Sequence, residues 1–104
     1  MSKNKANTTI DPITLEVIRN ALNSIADEMT ATLVRTAYST NIKDRRDCSC
    51  ALYSHKGELI AQTNNAGAPS HLGTMKFATK RILDEFTTEQ MRPDDAFIYN
   101  TPYP

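Results

Sequence analysis

The stretch "DPITLEVIRNALNSIADEMTATLVRTAY" (residues 11–38) constrains this chain more than any other. Leu15, Ile18, Leu22, Ile25, Met29 and Leu33 recur at steps of three and four, the period of one helix face. Asp11 suits the N-cap. Pro12 suits the first helical position, where the missing amide costs no hydrogen bond. The pattern predicts one amphipathic helix of about seven turns. Val17, Ala21 and Val34 widen the apolar stripe, which predicts packing on two sides. Glu16, Asn20, Asn23, Asp27 and Glu28 mark the polar face. The ordinary role of such a helix is core packing.

Shorter signals follow the helix. Residues 1–10 are polar and aperiodic and read as a disordered lead-in. "STNIKDRRD" reads as a polar loop. "CSCALY" (48–53) alternates, "ELIAQ" (58–62) follows, and Gly57 between them can take the positive φ of a tight turn. Together they predict a β-hairpin. "TNNAGAPS" is a loop by composition. A second helix is expected from about Leu72 to Phe86, with Leu72, Met75, Ala78, Ile82, Leu83 and Phe86 inside. "AFIYN" reads as a short strand. Helix, hairpin, helix, strand is an α+β order. With 104 residues the core is thin, since a chain this size buries only about 60–70% of its unfolded surface. A chain stopping just after a strand reads as a piece of a larger domain, occupying residues 11–104.

Charge and composition remove several functions. Lys plus Arg and Asp plus Glu stand at 12 each, which argues against a general nucleic-acid binder. Trp is absent and aromatics are few, so a base-stacking platform is not expected. No apolar run approaches 18 residues, and the N-terminus lacks the apolar core of a signal peptide. Two cysteines without an export signal suggest reduced thiols in the cytoplasm.

The chemistry is concentrated around "KDRRDCSCALY" (43–53). Cys48 and Cys50 would lie on one face of a strand, about 6.6 Å apart along it, too far for an unstrained disulfide. A zinc site wants four ligands, and His55 and His71 are the only other soft donors. The simplest reading makes Cys48, Cys50 and Leu52 the inner face of a hairpin strand. Arg45 and Arg46 beside Asp44 and Asp47 form either a solvated loop or a fork for an anionic group. His71, before the second helix, is either a general base or ligand, or a cap neighbour. No phosphate-cradling glycine loop is present.

The linked stretches "DPITLEVIRNAL", "IADEMTATLVRTAYSTNIKDRRDCSCALY", "KGELIAQ", "HLGTM" and "DDAFIYNTPYP" resemble the N-terminal end of the hydantoinase B/oxoprolinase family. That family includes B subunits of ATP-dependent N-methylhydantoinases, the C-terminal half of 5-oxoprolinases, and subunits of acetone and acetophenone carboxylases. The resemblance implies hydrolysis of a cyclic amide together with a hydantoinase A-like subunit or domain that uses ATP. A ketone carboxylase subunit and a small non-catalytic module docking on an A-type subunit are the alternatives. It also implies a divalent metal held beyond Pro104, at a Gly-Gly-Thr-His-Leu-Pro-Asp-like stretch, with no cofactor bound within these residues. Arg45, Arg46 and Asp47 match a family Arg-Arg-Asp segment and His71 a His-Leu-Gly segment, which makes these four the candidate site residues. Asn100-Thr101-Pro102-Tyr103 stands where relatives often carry Asn-Asp-Pro-Tyr, so no role of that aspartate is carried over to this chain.

Overall fold

The computed structural model describes residues 9–63 and 70–100. The lead-in before Thr9, the loop at 64–69 and the end from Thr101 to Pro104 lie outside the described residues. Helix α1 runs Pro12–Thr36, with Asp11 at the N-cap and Pro12 opening the first turn. It is about 37 Å long at 1.5 Å per residue. A one-turn helix α2, Thr40–Lys43, follows. Strands β1 (Ala51–Tyr53) and β2 (Leu59–Gln62) pair antiparallel, and helix α3 spans Ser70–Glu85.

The hairpin forms where it was expected, but its regular part is short. Ala51 pairs with Gln62 and Leu52 with Ala61, and a bulge then shifts the register so that Tyr53 meets Leu59. The ladder extends one step further, since the Thr63 amide donates to the Cys50 carbonyl at 3.1 Å. Gly57 takes φ +84°, the turn conformation that suits a residue without Cβ. Leu83 of α3 lies 3.4 Å from where a Cβ on Gly57 would stand, so the second helix covers the turn.

The packing of α1 departs from the expected stripe. Leu15, Ile18, Ile25, Met29 and Leu33 are between 37% and 46% exposed. The buried residues of the helix are Ala26 and Thr30. Ala61, Thr63 and Cys48 of the hairpin segment are buried as well, and α1 packs against both strands. The physical reason is reach: a sheet can approach a helix closely only over small side chains, and Ala26 and Thr30 supply them at i, i+4 spacing. Asp27, expected on the polar face, accepts a 2.7 Å hydrogen bond from Thr63 Oγ1 and links helix to hairpin.

Two further segments differ from their expectations. "STNIKDRRD" holds the α2 turn. The short strand expected at 96–100 does not form, and these residues carry no regular element. Among the described residues the sheet has two strands. Phe97 instead stacks on Phe86 just past α3, ring centroids 4.8 Å apart at 37°. The α+β class is unaffected by this change.

Candidate functional site

The last two turns of α1 carry Thr30, Ala31, Val34 and Arg35 along one side, because residues three and four apart are neighbours on a helix. The chain then turns back through α2. Lys43 Nζ donates to the Arg35 carbonyl at 2.9 Å, satisfying one of the carbonyls left open at the end of α1. The amides of Arg45, Arg46 and Asp47 donate to the carbonyls of Thr40, Ile42 and Asn41 at 3.2, 3.0 and 2.8 Å. This tight winding places Arg46 at φ 56°, a left-handed conformation that non-glycine residues rarely adopt.

The fold-back forms a half-open cavity of about 230 Å³ lined by Thr30, Ala31, Val34, Arg35 and Arg46. Thr30 is 2% exposed. Its Oγ1 is shut away from solvent with no hydrogen-bond partner among the described residues. Buried hydroxyls are normally paired, and an orphan one costs about 1–3 kcal/mol. Among the described residues, Arg35 and Arg46 form no ion pair with a carboxylate. Ala31 and Val34 give the pocket an apolar floor, and Arg35 and Arg46 line it as exposed residues.

The candidates read from sequence separate here. Arg46 lines the cavity. Both Arg45 and Arg46 are exposed, and Arg45 does not line it. Asp47 sits in the turn, its amide bonded to Asn41. His71 is in the first turn of α3, and its side chain lies outside the described residues. Thr30 and Arg35 were missed by sequence reasoning. The only hint was that Thr30, a polar residue, continues the Ala26 stripe one turn on.

The cysteines are both free thiols. Cys48 is buried, and burial pushes its thiol above the ordinary value of 9.0. Cys50 and Asp47 push in the same direction, against a smaller opposing effect of Arg46. Cys48 is therefore a protonated thiol near neutral pH and a poor nucleophile. Burial likewise raises the Tyr53 phenol above 10.0. Among the described residues no three His, Cys, Asp or Glu side chains gather as metal ligands. Nor, among them, is any helix long and apolar enough to cross a membrane.

Comparison with known proteins gives one consistent result. The family model described as Hydantoinase B/oxoprolinase matches residues 11–104. The chain is 47% identical over 96 residues to an uncharacterized protein of Methanocaldococcus jannaschii, covering 90% of this chain and 17% of that protein. It is 41% identical over 93 residues to the 5-oxoprolinase PfmaA of Pestalotiopsis fici, covering 89% of this chain and 7% of the relative. It is 37% identical over 94 residues to a caprolactamase subunit beta of Pseudomonas jessenii, covering 90% and 16%. The chain thus spans less than a fifth of the length of each of these relatives. No solved structure matches it.

Proposed function

Because this chain belongs to the hydantoinase B/oxoprolinase family, we propose that it serves as part of a hydrolase opening the C–N bond of a cyclic amide. The observation that carries this reading is the match across residues 11–104, joined by relatives named 5-oxoprolinase and caprolactamase subunit beta. Both names denote enzymes of lactams, rings closed by an amide.

An amide resists attack because resonance delocalises its nitrogen lone pair into the carbonyl. In this proposal the energy to overcome that resonance comes from ATP bound on a hydantoinase A-like subunit or domain. The B-type polypeptide holds the ring, and a divalent metal, where the enzyme uses one, is bound by residues outside 11–104. Arg46 belongs to the substrate-facing side, and Asp47 braces the turn that presents it. Arg45 steers anions at the rim. His71, at the opening of α3, accepts or delivers a proton near the reacting centre. The setting is cytoplasmic.

The test is reconstitution. The polypeptide is co-expressed with an A-type subunit, and ring opening of 5-oxoproline and of caprolactam is followed with and without ATP. ATP-dependent formation of the open amino acid, unaffected by bicarbonate, supports the reading. Turnover of a ketone that requires bicarbonate, with no lactam opened, refutes it in favour of a carboxylase.

A further inference from the structure

We draw no further inference here: the strongest candidate, the apolar stripe of Leu15, Ile18, Ile25, Met29 and Leu33 left exposed along helix α1, is an unpartnered helix face, and nothing in the structure shows what covers it.

Discussion

Replacing Arg46 by glycine and by alanine separates backbone strain from side-chain chemistry at one position. Both variants remove the guanidinium. They differ in the conformation that the α2 turn imposes, φ 56°. An L-residue with a Cβ costs about 1–2 kcal/mol there, and glycine is free of that penalty. Glycine in turn loses about 0.4–1 kcal/mol through the greater entropy of its unfolded chain. The difference leaves Arg46→Gly more stable than Arg46→Ala by about 0.5–1 kcal/mol. For a domain of this size that is a melting shift of roughly 2–8 °C. Thermal unfolding followed by circular dichroism measures it, and urea midpoints at equal slope check that the same transition is compared. A glycine variant no more stable than the alanine one would refute the argument, because the left-handed turn would then carry no strain.

Further outcomes follow from the packing. Thr63→Val removes the 2.7 Å bond to Asp27 and should lower stability by about 1–2 kcal/mol, read from urea unfolding. Ala26→Leu should destabilise by about 1–3 kcal/mol, because Ala26 is fully buried beneath the hairpin and a larger side chain forces the two apart. Ile18→Ala, on the exposed stripe of α1, should cost less than Ala26→Leu in the same assay. Alkaline pH should act through Cys48 and Tyr53. Their folded values lie above 9.0 and 10.0, so the stability they contribute is present below pH 9 and is lost as pH rises beyond it. Cys48→Ala should flatten the first part of that decline in a series of melts from pH 8 to 10.5. At pH 8, thiol labelling read by mass spectrometry should modify Cys50 before the buried Cys48.

The start of α1 was legible because Asp11-Pro12 is a strong local signal, and the structure opens the helix there. Gly57 was legible for a similar reason: a tight turn between two alternating runs asks for positive φ. The face by which α1 packs was not legible. Periodicity picks out the largest apolar side chains, whereas the hairpin sits on the smallest residues of the helix. The choice between those faces is made by residues more than thirty positions away in sequence, such as Thr63 against Asp27. The α2 turn was hidden for lack of any periodic pattern over four residues. "AFIYN" misled because a short apolar run carries no period long enough to separate a strand from an extended segment anchored by one ring. Half of the candidate cavity shows the same division. Arg46 stood out in its charged cluster, while Thr30 and Arg35 join it only through the fold-back at α2, which no local signal announced.

The proposed function is tested most directly by the reaction itself. The polypeptide is combined with a hydantoinase A-like subunit, and ring opening of 5-oxoproline and of caprolactam is followed with and without ATP. The cyclic-amide reading predicts that the open amino acid forms only when ATP is present. Opening of neither lactam, with bicarbonate-dependent turnover of a ketone in its place, would contradict it.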